Sequence, residues 1–336
     1  MVRGLHLVIL LTAQIPSLVQ GQPGPPVIVN ASQGQIQGFH FDGSSLGTNY
    51  YGSGDIFLGI PFVQPPVGNL RFRARAFRPA CPQYTQNLEQ SEDCLYLNVM
   101  TPSVNTTTPF PVMVWIHGGA LTVGTARDYG YQGAVRNLVS RGVVVVTIQY
   151  RLGLLGYFTT FTDDFPPNLG SLDQSGGGCS VSSLTLSPLG VGLFNNVIAE
   201  SGTILTCFEG AFGFDDQSRA RANFLCNVTD TEWCAGNTTR LAQCMAGLNY
   251  SAWVDIDVGT ILGWRMAQDD YFMPYVPAEA VRRSPGNRSL LFGNNRDEWG
   301  FYEMLLKGDG IDDADYSRDF LLETFGLYTT FMGPRK

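Results

Sequence analysis

The sequence is poor in histidine, in basic residues and in long apolar stretches, and each shortage excludes a class of function. It has three histidines among 336 residues, and no two of its seven cysteines have zinc-knuckle spacing, so we expect no metal site and no cofactor. A formal net charge of −8 provides no basic face for nucleic acid. Beyond the N-terminus, no stretch is long and apolar enough to span a membrane.

The first residues carry a targeting pattern. Arg3 precedes a mostly apolar run at residues 5–11, and small residues around Gly21 fit a cleavage site. This order is typical of a secretory signal peptide, the alternative being a buried N-terminal helix. We therefore predict that residues 1–21 are removed, that residues 22–336 form the mature domain, and that the protein is secreted.

Asn-x-Ser/Thr sequons agree with passage through the secretory pathway, where they are acceptors for N-linked glycans. The candidate glycosylation sites are Asn30, Asn105, Asn227, Asn237, Asn249 and Asn287.

Cysteine usage predicts disulfides with one thiol left over, because seven cysteines in a secreted chain cannot all pair. Cys81 and Cys94 are close enough in sequence to close a short loop. Cys179, beside a run of glycines, is the predicted unpaired cysteine. The remaining four cannot be paired from sequence: Cys207, Cys226, Cys234 and Cys244.

Two continuous apolar runs, at residues 110–116 and 142–149, predict buried strands. Residues 129–140 between them have a helical pattern, which gives a strand–helix–strand unit. The predicted architecture is α/β, a large sheet with helices on both faces. Further strands are predicted at residues 27–41 (a hairpin), 95–100, 195–201 and 289–293.

Five sequence blocks within residues 27–305 carry a family pattern. They are Gly59-Ile-Pro-Phe-Val-Gln-Pro-Pro-Val-Gly-Asn-Leu-Arg-Phe72, Ser91-Glu-Asp-Cys-Leu-Tyr-Leu-Asn-Val99, Pro111-Val-Met-Val-Trp-Ile-His-Gly-Gly-Ala120, Val143-Val-Val-Val-Thr-Ile-Gln-Tyr-Arg-Leu-Gly-Leu-Leu-Gly-Tyr157 and Gly293-Asn-Asn-Arg-Asp-Glu-Trp-Gly300. Together they resemble the type-B carboxylesterase/cholinesterase family. The resemblance implies an α/β-hydrolase fold with a large, mostly parallel central sheet, and a small-molecule carboxylic ester as substrate.

Ester hydrolysis needs a nucleophile, a base, an orienting acid, and donors for the oxyanion of the tetrahedral intermediate. The resemblance implies that Ser175 is the nucleophile and Glu298 the acid. It implies an oxyanion hole formed by the backbone N–H groups of Gly119, Ala120 and Gly176. The alternatives are a turn serine in a glycine-rich junction, a surface carboxylate pair, and a plain turn at the end of a strand.

The segment around Ser175 departs from the family pattern. Asp173 replaces the first glycine of Gly-x-Ser-x-Gly, and no hydrophobic strand leads into the turn. In the family a helix, a loop and a hydrophobic strand precede the serine motif, whereas here residues 168–174 run directly into Ser175. We therefore predict that an internal segment is missing and that the fold is incomplete. A similar sequence at Ser201 matches a structural strand end in the family.

No histidine matches the family's catalytic base. His6 lies in the predicted signal peptide, His40 lies in the predicted hairpin, and His117 has a structural role in the oxyanion block. The family's base lies beyond the acid, in a C-terminal region absent from this sequence. We expect a secreted carboxylic ester hydrolase with impaired activity. The alternative is a non-catalytic binding protein of the same fold or an inactive truncated isoform.

The short loop between Cys81 and Cys94 bears on the substrate. Cholinesterases carry a longer loop with a tryptophan for the choline cation. This loop has no aromatic residue except Tyr84. The comparison favours a general carboxylesterase, and the oligomeric state is not predicted.

Overall fold

The computed structural model describes residues 24–32, 34–46, 52–62, 77–83, 88–173, 177–202, 204–209, 216–236, 238–249, 251, 264–284 and 288–293. They belong to one compact unit, Pro23–Gly293. Several predicted features lie outside the described residues: the signal peptide, Ser175, Gly176, Glu298, Asn237 and Asn287.

Three sheets are present within these residues. The largest has the strand order β1-β2-β3-β4-β6-β5, while β7 pairs with β10 and β8 pairs with β9. The strands are β1 (Pro26–Ala31), β2 (Gly34–Asp42), β3 (Ser53–Pro61), β4 (Tyr96–Thr101), β5 (Val112–Ile116), β6 (Val144–Ile148), β7 (Asn196–Glu200), β8 (Phe208–Glu209), β9 (Met266–Ala267) and β10 (Ser289–Gly293).

The helices of the described residues are short, and none of them is long and apolar enough to cross a membrane. They are α1 (Gln132–Asn137), α2 (Gly153–Tyr157), α3 (Leu169–Asp173), α4 (Gly177–Leu186), α5 (Ile204–Cys207), α6 (Asp216–Cys226), α7 (Asp230–Cys234), α8 (Thr239–Gly247) and α9 (Pro277–Arg283).

The large sheet is mostly antiparallel, so the expectation of a mostly parallel sheet is wrong for the described residues. Only β5 and β6 pair in parallel, and α1 provides the crossover that parallel neighbours need. The other four pairings are antiparallel, and β1 and β2 form the predicted hairpin. A two-residue connection between β1 and β2 is too short for anything but a reversal. Parallel pairing recurs outside this sheet, between β7 and β10.

One hydrophobic cluster holds α1 against the large sheet. Ile56 and Met100 from the central strands, with Val145 from β6, pack with Val135 of α1 and are fully buried. Burial of aliphatic side chains of this size contributes roughly 1.5–3 kcal/mol each. This part of the chain therefore has a packed core of its own.

Three disulfides are formed, and they correct one prediction. Cys81 pairs with Cys94, as expected. Cys179 is not the unpaired cysteine, because it pairs with Cys207; Cys234 is free and exposed. The pairing follows from the packing of α4 against the end of β7, which brings Cys179 close to the segment leading into α5. The third pair is Cys226–Cys244.

Candidate functional site

A tight loop follows β5 at residues 117–124, in the segment predicted to hold the oxyanion donors. Gly119 has φ +122°, and a Cβ there would lie 1.9 Å from the carbonyl oxygen of Val123, so only glycine fits. Ala120 and Leu121 follow with φ 53° and 62°. Consecutive left-handed residues other than glycine are uncommon and strained, and such strain is concentrated at functional sites.

The loop is fixed from both sides. The side chain of buried Gln83 accepts a hydrogen bond from the Gly124 N–H (2.7 Å) and donates one to the Gly124 carbonyl (2.8 Å). The Gly153 N–H, after β6, donates to the Leu121 carbonyl at 2.8 Å. Because Gln83 lies two residues after Cys81, the Cys81–Cys94 loop helps to position the turn.

The turn leaves two donors available. Gly119 and Ala120 are exposed, and neither of their N–H groups donates a hydrogen bond to another residue in the described ranges. Adjacent free N–H groups on a rigid turn are the arrangement that stabilises an oxyanion.

His117 is a structural residue of this loop. Its ring stacks on Tyr150 with centroids 4.3 Å apart, and the Tyr150 hydroxyl donates to the His117 carbonyl at 2.7 Å. Burial lowers the pKa of His117 to about 4, although a hydrogen bond between Nδ1 and the Gly118 carbonyl opposes that shift. The ring is therefore neutral at pH 7, and its buried Nε2 has no partner within the described part of the chain.

Asp173 holds α3 against the segment that follows β6. Its carboxylate accepts hydrogen bonds from Nε and Nη2 of Arg151 at 2.6 and 2.7 Å, and from the Arg151 backbone N–H at 3.1 Å. Such a bidentate pair is among the stronger polar contacts in proteins. Asp173, which stands where the family has a glycine, is thus ion-paired with Arg151. The stretch that ends two residues before Ser175 is helix α3.

The chain continues past Ser175 into α4, which begins at Gly177. Gly178 approaches the end of β7 so closely that a Cβ would lie 2.5 Å from the Glu200 carbonyl oxygen. Directly after β7, Ser201 has φ 51° and its N–H donates to the Gly293 carbonyl at 2.8 Å. The hydrogen bond agrees with a strand end held to β10.

The other predicted residues lie elsewhere or outside the described ranges. His40 on β2 is half-buried, and its Nδ1 is 2.8 Å from an Asp55 oxygen on the neighbouring strand. Ser175 follows α3 by two positions, and Glu298 follows β10 by five, so neither can be placed relative to Gly119. The four described sequon asparagines are all exposed: Asn30, Asn105, Asn227 and Asn249.

Two side chains, one that supports the loop and one that supports α3, were not predicted from the sequence. Gln83 is an isolated glutamine with no pattern around it, and only the fold brings it to Gly124. Asp173 is noticeable in the sequence because it stands where the family has a glycine. Its partner Arg151 lies 22 residues earlier, and the sequence does not indicate this pairing.

The fold and the loop together define a class, a mixed α/β protein with a turn suited to acyl-transfer chemistry at the end of a parallel strand. The Carboxylesterase family model matches residues 25–176 and 174–325, most of the sequence. The chain belongs to the carboxylesterase family.

Individual relatives agree. The chain is 30% identical to "Carboxylesterase 1C" of Mus musculus, covering 84% of this chain and 59% of that protein. It is 29% identical to "Gut esterase 1" of Caenorhabditis briggsae (86% and 57%), and 37% identical to "Liver carboxylesterase" of Sus scrofa (55% and 42%). The chain thus spans about half the length of the curated relatives that it matches.

The comparisons also contain a gap. The alignment with the nematode esterase has 337 positions, yet 86% of 336 residues is only about 289, so about 50 positions have no residue from this chain. The alignment with the mouse protein gives about 60 in the same way, from 342 positions and 84%. The two family-model matches meet at residues 174–176, where the sequence predicts a missing segment.

Proposed function

We propose that this chain catalyses hydrolysis of small carboxylic esters at Ser175, at a rate far below that of the carboxylesterases that it matches. The observation that carries the proposal is the loop after β5, where the N–H groups of Gly119 and Ala120 donate to no residue of the described ranges and lie on a turn fixed by Gln83. Family membership supports the reaction class.

Each proposed role follows from the chemistry. Ser175 attacks the ester carbonyl, and the N–H groups of Gly119, Ala120 and Gly176 stabilise the oxyanion that forms. Glu298 is the acid that would orient a base.

The base is the missing component. Of the three histidines in the sequence, His40 pairs with Asp55, His117 is buried and neutral, and His6 lies in the proposed signal peptide. Loss of the triad histidine in a serine hydrolase lowers kcat by about 10⁶-fold, while oxyanion stabilisation and binding retain some catalysis above water. We therefore expect slow turnover.

The test is hydrolysis of p-nitrophenyl butyrate by the purified chain, with Ser175→Ala as the matched variant. We expect turnover roughly 10⁶-fold slower than that of pig liver carboxylesterase. Mass spectrometry should find a butyryl group on Ser175 of the wild type and none at this position in the variant. A fluorophosphonate probe should label the pig enzyme within minutes and this chain only on prolonged incubation, at Ser175.

Three results would overturn the proposal. A butyryl group on another residue, with none on Ser175, would place the chemistry elsewhere. Rapid turnover with minute-scale labelling would show that another group replaces the histidine. A cooperatively melting chain with no turnover above buffer would be a non-catalytic relative.

That non-catalytic alternative has one observation in its favour. Apolar side chains are exposed along three strands: Val112 and Val114 on β5, Ile198 on β7, and Leu290, Leu291 and Phe292 on β10. Exposed apolar surface is typical of protein-binding sites. A secreted binding protein would keep this surface and lose turnover.

Secretion and glycosylation are part of the proposal. Three disulfides fit an oxidising compartment. The exposure of the described sequon asparagines leaves them accessible to glycan transfer. Intact-mass analysis before and after treatment with an N-glycosidase tests occupancy, and N-terminal sequencing of secreted protein tests cleavage after residue 21.

A further inference from the structure

We infer that Asn227 accepts an N-linked glycan only before the Cys226–Cys244 disulfide closes, so that glycan transfer and disulfide formation compete at this sequon. The inference rests on the proposed entry into the secretory pathway and deepens it, because it gives the order in which one segment is modified twice. It is independent of ester hydrolysis.

The sequon Asn227-Val-Thr229 forms the whole connection between α6 and α7. Cys226, the last residue of α6, directly precedes it and is bonded to Cys244 of α8. The disulfide therefore holds one end of the sequon against a third helix, while the other end is the start of α7.

The first two residues of the sequon have fixed places in the fold. Asn227 has φ 51°, a left-handed conformation that ends α6, and its N–H donates to the Asn223 carbonyl at 2.8 Å. Val228 is 5% exposed and belongs to the hydrophobic cluster that contains Leu241 and Met245 of α8. An extended sequon is therefore incompatible with the packing of α8 against this connection.

The hydroxyl group of Thr229, which the sequon requires, is part of a capping box at the start of α7. It accepts a hydrogen bond from the Glu232 N–H at 3.3 Å and donates one to the Glu232 carboxylate at 2.9 Å. The same carboxylate accepts from the Thr229 N–H at 2.8 Å. Because a capping box satisfies the N–H groups at a helix start, releasing this hydroxyl requires the first turn of α7 to open.

Arg240 of α8 holds the backbone of the sequon from the side of the disulfide. Its guanidinium group donates to the carbonyls of Cys226 and Asn227 at 3.1 and 3.2 Å, and to the Glu232 carboxylate at 2.8 and 2.9 Å. The helix that carries Cys244 is thus also the helix that fixes the sequon, so closing the disulfide and fixing the sequon are one event.

Glycan transfer needs both functional groups of the sequon at once, since the acceptor motif consists of the asparagine and the hydroxyl residue together. Asn227 is exposed, as are the other described sequon asparagines, but Val228 is buried and the Thr229 hydroxyl is in the capping box. A glycan already attached to Asn227 would extend into solvent. A chain already closed at Cys226–Cys244 does not present the motif.

The time available for transfer follows from the spacing in the sequence. Cys244 is synthesised 17 residues after Asn227 (244 minus 227). At about 5–20 residues per second, the sequon precedes the disulfide partner by about 1–3 s. Disulfides form over seconds to hours. The two modifications therefore overlap in time, and we expect a glycan on only part of the chains at Asn227.

Asn105 provides an internal reference. Its sequon, residues 105–107, is exposed at all three positions and lies in the loop between β4 and β5. The middle residue of this sequon is not part of the core, in contrast to Val228. Transfer to Asn105 should therefore be independent of the Cys226–Cys244 disulfide.

The test is translation of the full chain into endoplasmic-reticulum microsomes under oxidising conditions. Site occupancy would be measured by mass spectrometry after N-glycosidase treatment in heavy-oxygen water. Wild-type occupancy at Asn227 should be below that at Asn105. Cys244→Ser removes the disulfide without changing the sequon, and we expect it to raise Asn227 occupancy about twofold or more. Dithiothreitol should have the same effect on the wild type, with Asn105 unchanged.

Matched variants separate this order of events from a general loss of folding. Cys94→Ser opens the disulfide to Cys81, which spans 13 residues where the Cys226–Cys244 bond spans 18, and it should leave Asn227 occupancy unchanged. Arg240→Gln keeps every cysteine and weakens the contacts to the sequon backbone. It should raise Asn227 occupancy, by less than Cys244→Ser does.

The inference is overturned if Asn227 is fully occupied in the wild type, if opening its disulfide leaves the occupancy unchanged, or if Cys94→Ser raises it equally. A glycan at Asn105 with none at Asn227 in any variant would also overturn it, while the proposed secretion would stand. Absence of a glycan from every sequon would overturn both.

Discussion

The central strands of the large sheet and β10 are built from similar residues and have opposite environments. β3 contains Ile56, Phe57 and Leu58, all buried, whereas Leu290, Leu291 and Phe292 on β10 are all exposed. The apolar content of a strand therefore does not decide its burial; the elements available to cover it do. Among the described strands, β3 has a neighbour on each side, whereas β7 and β10 pair only with each other.

The largest expected effect is on the buried core of β3. Ile56→Ala removes a fully buried side chain and should lower the free energy of unfolding by about 2–5 kcal/mol. Leu291→Ala, at a position 62% exposed on β10, should change it by less than about 0.5 kcal/mol. Urea unfolding of both variants is the measurement. Equal losses would mean that β10 is covered as thoroughly as β3.

A second prediction concerns the ion pair between Asp173 and Arg151. Asp173→Asn should destabilise by about 2–3 kcal/mol, because Arg151 loses a largely buried carboxylate, although partial exposure of the arginine reduces the cost. Glu279→Gln is the control, since that ion pair with Arg283 is exposed, and it should give no measurable change. If the two variants unfold at the same urea concentration, Asp173 does not anchor α3.

The third prediction is a pH dependence from His117. Its folded pKa of about 4 lies below the ordinary 6.5, so the unfolded chain takes up the proton first as pH falls. The stability is complete above pH 6.5 and declines toward pH 4, by about 2 kcal/mol between pH 6.5 and 5. His117→Phe keeps a ring over Tyr150 and should remove this part of the dependence. A variant that declines as steeply as the wild type would contradict the assignment.

The smallest effect is expected at Gln83. Gln83→Leu keeps the side-chain volume but leaves both backbone groups of Gly124 without their partner, at a cost of about 1–2 kcal/mol. If the loop after β5 holds the oxyanion, the residual turnover of p-nitrophenyl butyrate should fall as well. Lower stability with unchanged turnover would make Gln83 a purely structural residue.

Sequence predicted what is local, and missed what depends on how distant segments meet. The unit formed by β5, α1 and β6 was predictable because two apolar runs flank a helical pattern. The antiparallel direction of most of the large sheet was not, because the direction of pairing depends on which distant segments become neighbours. The prediction for Cys179 was wrong because its pairing depends on α4 packing against β7.

In the candidate site, too, local features were predictable and contacts between distant residues were not. The turn at Gly119 and Ala120 was predictable because a short motif follows an apolar run, and the structure describes this turn; its oxyanion role stays a prediction. Its supports were not predictable: Gln83 is 41 residues from Gly124, and Arg151 is 22 from Asp173. Ser175, Gly176 and Glu298 remain predictions, since they lie outside the described residues.

The most direct measurement is hydrogen exchange of the unmodified chain, strand by strand. Amides of β3 and β4 should exchange at least a hundredfold more slowly than those of β10, because opening a covered central strand needs far more of the structure to unfold. Equal protection of β3 and β10 would contradict the conclusion that this chain has a self-sufficient large sheet beside an incompletely covered β7–β10 pair.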